Sequence, residues 1–295
     1  MTEPGRLFCF GLGYSAGVLA RRLRAEGWPV AGTSREAAAR ADLAAQGIAA
    51  QAFDREMPLA DPAAVLAGSS HVLLSIPPDT DGDPVFDRHA DDLAALPTLR
   101  WLGYLSTTGV YGDHGGGWVD EATPTAPVNT RGAWRVRAET AWLDLWRGRG
   151  LPVHIFRLAG IYGPGRNQFE ALRRGTARRI VKPGQVFSRI HVDDLGSVLR
   201  ASMARPDPGA VYNVCDDEAA PPQDVVAHAA ALLNIEPPPE IPFDQAELSA
   251  MGRSFYGENK RVRNDRIKHD LGVGLRYPSF REGLAAILAA EDAAR

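Results

Sequence analysis

At 295 residues, 45% hydrophobic and 23% charged, the chain has the composition of a globular α/β protein with room for one large domain or a domain with a smaller companion. A net charge of −3 gives no basis for a nucleic-acid partner, and two cysteines, Cys9 and Cys215, each in or beside an apolar run, read as buried thiols and give no support to a disulfide framework or a zinc site. No run is long enough to span a bilayer and no charged-then-apolar leader precedes the first strand, so the expected location is cytoplasmic, with no membrane contact.

The first predicted strand, Leu7–Phe10, runs into Gly11-Leu12-Gly13-Tyr14-Ser15-Ala16, a G-x-G-x-x-A turn, and a helix over Ala16–Glu26 follows. Gly11 permits the tight turn, Gly13 lets the backbone approach a pyrophosphate, and Ala16 lets the helix pack on the strand. The free N–H groups at the helix start favour a phosphate anion. The pattern points to a dinucleotide. Strands at Pro29–Thr33, Ile48–Phe53, His71–Ile76 and Trp101–Ser106 follow, with a helix spanning roughly 86–96 before the last. A helix around Arg135–Trp146 precedes a strand at Val153–Leu158, and Ala210–Val214 completes the set. Near-continuous apolar strands alternating with helices predict a doubly wound parallel sheet covered on both faces. The last third reads differently: a Pro-rich stretch, Glu236–Pro242, an irregular basic segment, Arg253–Arg266, and an amphipathic helix near Phe280–Ala290. It is too short to hold a large core and is expected to form a lid.

Strand two ends as Gly32-Thr33-Ser34-Arg35, with no carboxylate before Glu36. An acidic residue there would bind a ribose 2′-hydroxyl, whereas Ser34 and Arg35 suit a 2′-phosphate, so NADP is expected over NAD. The alternative for Arg35 is a solvent-exposed βα loop. Asp54, after strand three, is placed to accept from the adenine amino group or to cap the turn before Pro58.

Ser106-Thr107-Thr108-Gly109-Val110-Tyr111-Gly112 resembles the S-T/S-x-x-V-Y-G strand end of the extended short-chain dehydrogenase/reductases, the group of sugar-nucleotide epimerases and dehydratases. Arg157–Arg166 is similar to their R-x-x-x-x-Y-G-P-G-R segment, Ile190-His191-Val192-Asp193-Asp194 to their I-H-V-x-D stretch, and Tyr212-Asn213-Val214 to their late Y-N-V strand. The ordered set covers nearly the whole chain. The resemblance implies a Rossmann domain, over 1–160 plus 187–216, with a small C-terminal substrate-binding region, over 161–186 plus 217–295. It also extends the implied cofactor site to Tyr14, Ser15 and the stretch Ser75-Ile76-Pro77 after strand four, and implies substrate contacts from Thr108, Tyr111, Tyr162, Arg166 and Arg189.

The family's catalytic motif is a Ser or Thr followed by Y-x-x-x-K. Thr107 occupies the hydroxyl position, but the helix that should carry Tyr and Lys reads Thr130-Arg131-Gly132-Ala133-Trp134-Arg135-Val136-Arg137-Ala138-Glu139, placing Arg131 and Arg135 there. Arg135 retains a positive charge for the ribose, with different geometry. Arg131 remains charged and is a poor proton donor; it either binds an anionic group beside the nicotinamide or points to solvent. The match is nearest to an atypical branch of NAD-dependent epimerase/dehydratase-like bacterial proteins, in which the tetrad is poorly kept and an Asp often replaces the usual Asn. Asp87 is the candidate for that position. Phe187 stands where nucleotide-sugar enzymes carry a diphosphate-gripping Arg, which speaks against a nucleotide sugar.

His114, in a Gly-rich loop, is a candidate proton donor or solvated surface, and His191 is expected to be structural. No spacing points to a metal. The chain is therefore expected to be an NADP-dependent reductase-like or epimerase-like protein acting on a small, anionic substrate. The alternative is a non-catalytic NADP(H)-sensing module. A homodimer through paired helices is the implied assembly; the aromatic face of the Trp134–Trp146 helix would serve it or be core.

Overall fold

The computed structural model describes residues 5–295; residues 1–4, with which the expected nucleotide domain begins, lie outside the described residues. The chain divides into two compact units. Of the described residues, the first comprises 5–107, 130–157 and 196–212, and the second 108–129, 158–195 and 213–295. Thr108–Asn129 and the segment 187–195 thus pack with the second unit, whereas the sequence reading groups them with the nucleotide domain.

In the first unit β1 (Leu7–Phe10), α1 (Tyr14–Ala25), β2 (Val30–Thr33), α2 (Ala37–Ala45), β3 (Ala49–Gln51), α3 (Pro62–Leu66), β4 (His71–Leu74), α4 (Pro84–Ala94), β5 (Trp101–Thr107) and α5 (Thr130–Arg149) alternate. The seven-stranded parallel sheet runs in the order Val211–Val214, Val153–Leu158, β5, β4, β1, β2, β3. Leu7 pairs with Val30 on one side and His71 on the other, and the chain changes direction across the sheet at β1. A doubly wound sheet places its ligand crevice at such a reversal, beyond the carboxyl ends of the strands. This is the α/β Rossmann architecture.

β1, β4 and Val153–Leu158 are buried at every position, because central parallel strands face helices on both sides. Phe8, Phe10, Phe53, Leu74, Leu102, Tyr104 and Trp142 form one apolar core. Burying the Trp142 side chain alone removes about 200 Å² from water, worth several kcal/mol. Asp83 starts α4: its Oδ1 accepts from the Val85 and Phe86 N–H groups, and Pro84 occupies the first helical position, where no N–H is needed.

The second unit has its own core, in which Phe169, Leu172, Val226, Ala229, Phe280 and Ile287 meet. The stretches read as irregular contribute two short strands to it. Glu240–Pro242 pairs in parallel with Arg179–Val181, and Arg261–Val262 pairs with Trp118–Val119. Such pairings join segments far apart in sequence and leave no local periodicity. The final helix, Phe280–Ala293, begins with a capping box between Ser279 and Glu282. Among the described residues, no helix is long and apolar enough to cross a membrane.

Candidate functional site

Gly11 and Gly13 do different work at the β1–α1 turn. Gly11 has φ +89°, and a Cβ there would come within 2.9 Å of Ile76 Cγ1. Its N–H donates to Thr33 Oγ1 at 2.9 Å, and the Leu12 N–H donates to Thr33 O at 2.8 Å. Thr33, fully buried at the end of β2, therefore fixes the loop. Gly13 is exposed, and a Cβ on it would meet nothing within 4 Å. It is the N-cap of α1, which has no side-chain cap and no acidic residue in its first turn. Tyr14 is half-buried, while Ser15 and Ala16 are buried behind it. The result is an open cradle of helix N–H groups that an anion such as a pyrophosphate fits. Ile76 lies over Gly11, the Ser75 N–H is held by Phe10 O at 2.9 Å, and Pro77 is exposed.

At the end of β2, Ser34 is half-buried with its N–H on Gln51 O, and Arg35 is exposed. Asp54 caps a turn: its Oδ1 accepts from the N–H groups of Glu56 and Met57 at 3.0 and 2.8 Å. Asp87, in the first turn of α4, is ion-paired to Arg55 at 2.5 Å, and Arg55 also binds Asp79 at 2.8 Å. Arg55 thereby ties the loop after β3 to the loop after β4.

α5 carries Arg131, Arg135 and Glu139 four residues apart, on one face that descends from solvent to core. Arg131 is exposed and makes no hydrogen bond or ion pair among the described residues. Arg135 is half-buried; its guanidinium donates to the Leu105 carbonyl and lies 5.8 Å from the Tyr104 ring centroid. Glu139 is buried between Arg157, whose NH2 donates to Oε2 at 2.7 Å, and Ser106, whose Oγ donates to Oε1 at 2.5 Å. Thr107, at the end of β5, is half-buried. Asp83, which the sequence reading passed over, accepts from Trp142 Nε1 at 3.1 Å, and burial raises its carboxyl above the usual range. The N-cap pattern Asp-Pro was the signal available for it.

In the second unit, Thr108–Tyr111 forms a single 3₁₀ turn. The Tyr111 hydroxyl is fully buried and donates to Asn213 Oδ1 at 2.7 Å. Tyr162 donates to Ser279 O at 3.2 Å, and its ring meets His191 edge-on at 5.2 Å. Both phenols are engaged by the fold, and burial pushes that of Tyr162 up. Arg189 donates to the carbonyls of Phe187 and Ala220 at 2.8 and 3.1 Å. Beside it Asp216 is buried, its Oδ2 has no hydrogen-bond partner among the described residues, and desolvation raises its pKa to about 8. Arg166 is exposed in the turn closed by Gly163. His114 Nε2 lies 3.1 Å from Tyr111 O. His191 is buried and its Nδ1 accepts from the Asp193 N–H, while Asp194 accepts from the N–H groups of Arg276 and Tyr277. The I-H-V-D-D segment thus anchors the C-terminal tail. Among the described residues, no group of three His, Cys, Asp or Glu is placed to hold a metal ion.

Comparison with known proteins agrees with this architecture. The chain is 54% identical to a conserved protein of unknown function from Silicibacter pomeroyi, with a TM-score of 0.89 and coverage of 98% of this chain and 99% of that one. It is 29% identical to Protein YeeZ of Escherichia coli over 282 residues, 91% of this chain and 94% of YeeZ. A dTDP-glucose 4,6-dehydratase from Bacillus anthracis, solved in complex with NAD, shares the fold at a TM-score of 0.78 and 15% identity, covering 98% of this chain and 97% of the enzyme. Residues 11–215 match the NAD dependent epimerase/dehydratase family, whose members bind NAD(P). The chain belongs to that family.

Proposed function

We propose that the protein binds NADP(H) and acts on a small anionic substrate as a reductase-like or epimerase-like enzyme. The observation that carries this reading is Arg131: an exposed guanidinium without a hydrogen-bond or ion-pair partner among the described residues, in the first turn of α5, at the position where the family's tyrosine would stand. A fixed cation there suits a carboxylate or phosphate on the substrate. The dinucleotide, when bound, supplies or accepts the hydride. Gly13 and the uncapped start of α1 hold its pyrophosphate, and Ser34 and Arg35 meet its 2′ end. The Thr107 hydroxyl donates to the substrate oxygen, and Arg131 grips the acidic group. Arg131 is a poor proton donor, so the proton that balances hydride transfer is exchanged with water or with a residue outside the motif.

Calorimetric titration with NADPH, NADP, NADH and NAD tests the cofactor assignment, and a panel of acidic carbonyl compounds tests the chemistry. Preferential binding of the phosphorylated forms, with turnover and substrate affinity lost in Arg131→Ala, is the expected result. Unchanged turnover and affinity in that variant would refute the role of Arg131.

One observation favours a second reading. Arg135, at the lysine position, turns inward to the Leu105 carbonyl and the Tyr104 ring. With no phenol at 131, a non-catalytic NADP(H)-sensing module accounts for both departures. Tight NADPH binding with no oxidation across the panel would select it.

A further inference from the structure

In the sheet, β4 and β3 stand with β1 and β2 between them, so the loops that leave their carboxyl ends start about 14 Å apart, at three strand spacings. The β1–α1 turn lies in that interval. The Ser75 N–H is on Phe10 O and Ile76 lies over Gly11 on one side, and the Ser34 N–H reaches Gln51 O at the end of β3 on the other. Arg55 closes the distance. Its NH2 donates to Asp79 Oδ1 at 2.8 Å, its Nε to Asp79 Oδ2 at 3.3 Å and its NH1 to Asp87 Oδ2 at 2.5 Å. One guanidinium thus holds the loop after β3, the loop after β4 and the first turn of α4.

The tip of the loop after β4 can leave this contact as a unit. Asp79 folds it into a compact knuckle: its N–H donates to Gly82 O at 2.8 Å, and its Oδ1 accepts from the Asp81 and Gly82 N–H groups at 2.9 and 3.2 Å. Among the described residues, the only hydrogen bonds and ion pairs from 77–82 to the rest of the unit are those to Arg55. The side chains of Asp79 and Asp87 are 45% and 36% exposed. Ion pairs that face water are weak and screened by salt, so this closure opens at little cost. We propose that Arg55 is the pin of a clasp at the carboxyl-end crevice of the first unit, whose ion pairs break to let a dinucleotide in or out and re-form behind it. A closure that forms equally with and without ligand slows exchange in both directions and leaves affinity unchanged. The inference rests on the dinucleotide reading above and goes beyond it, because Arg55 governs access and makes no contact with the ligand.

The test is stopped-flow association and dissociation of NADPH, followed by nicotinamide fluorescence, in the wild type, Arg55→Gln and Asp79→Asn. Asn keeps the oxygen that folds the knuckle and removes only the charge, so it reads the clasp even if Arg55→Gln disturbs the loop. The expected result is that on- and off-rate constants rise together, by about threefold in Asp79→Asn and about tenfold in Arg55→Gln, while their ratio stays within about twofold. Raising the salt concentration should bring the wild-type off-rate toward that of Arg55→Gln, whose own off-rate changes little. A faster off-rate with an unchanged on-rate would make Arg55 a direct contact to the dinucleotide and overturn the clasp. Unchanged rate constants in both variants would make the triad a static brace and overturn it equally. A wild type that binds no dinucleotide would overturn the cofactor reading as well, whereas binding with unaltered exchange overturns the clasp alone.

Discussion

Arg157 and Glu139 meet in a buried bidentate ion pair that joins the strand Val153–Leu158 to α5. Nε lies 3.2 Å from each carboxylate oxygen, NH2 lies 2.7 Å from Oε2, and Ser106 adds a third donor from β5. Both side chains are less than one-tenth exposed. Three neighbouring elements of the sheet layer are locked at one point, two helical turns below Arg131. Removing one partner leaves the other charge buried and uncompensated, which costs far more than the net value of the pair. Glu139→Ala is expected to lower unfolding free energy by about 3–5 kcal/mol, and Glu139→Gln, which retains acceptor and shape, by less. Urea denaturation of the two variants checks the order; equal, small losses would mean the pair is solvated.

The two turn glycines separate stability from binding. At Gly11, φ +89° and the approach of Ile76 Cγ1 make any side chain strained, so Gly11→Ala should lose about 1–3 kcal/mol. Gly13 has φ −91°, an ordinary backbone conformation, and open space where a Cβ would stand. Gly13→Val should leave the melting temperature nearly unchanged while abolishing dinucleotide binding, because its side chain fills the space the pyrophosphate needs. Retained NADPH binding in Gly13→Val, measured by calorimetry, would remove the cradle from that turn.

Much of this arrangement is legible in the sequence. The Gly11–Ala16 turn, the strands around it and the change from strand to helix periodicity are local patterns, set by residues a few positions apart. The side chains of the site were less readable because long-range neighbours decide them. Thr33 matters because β2 lies beside β1, bringing its hydroxyl to the Gly11 N–H. Arg135 turns inward because Leu105 and Tyr104 offer a carbonyl and a ring beneath α5, not because of anything in the helix sequence. Asp54 had two readings, and the structure engages one of its oxygens in the turn. The strands Glu240–Pro242 and Arg261–Val262 escaped notice for a related reason: each is only two or three residues long and finds its partner far along the chain.

Two core histidines should make the protein acid-sensitive. Burial pushes the pKa of His71 and of His154 down to about 4, from 6.5 in an exposed chain. His154 Nε2 accepts the Asp207 N–H at 2.9 Å, a role open only to the neutral ring. For a base whose folded pKa is depressed, the unfolded chain takes up protons first. Stability is therefore full above pH 6.5 and falls as pH drops from about 6.5 to about 4, by about 2–3 kcal/mol per histidine. Urea midpoints between pH 7 and pH 4.5, measured in Asp216→Asn so that the opposing titration of Asp216 is removed, should show this fall. A flat profile over that interval would mean that both rings accept protons without unfolding.

Asp216 has the opposite sign. Its Oδ1 accepts the Glu218 N–H, but Oδ2 is buried without a hydrogen-bond partner, and Arg189 directs NH1 at two carbonyls and forms no ion pair with it among the described residues. Desolvation dominates and lifts the pKa to about 8, although the nearby Arg189 charge acts the other way. A carboxyl whose folded pKa exceeds its unfolded value of 3.8 stabilises fully below pH 3.8, and that contribution is lost as pH rises toward 8. Asp216→Asn mimics the protonated form at every pH. It should match the wild type near pH 4 and exceed it by about 2–4 kcal/mol at pH 8, since proton release in the wild type must otherwise place a charge where Oδ2 has nothing to accept from. Denaturation of both proteins at the two pH values decides it. A variant less stable than the wild type at pH 8 would mean that the ionised carboxylate, drawn toward Arg189, is the form the fold uses.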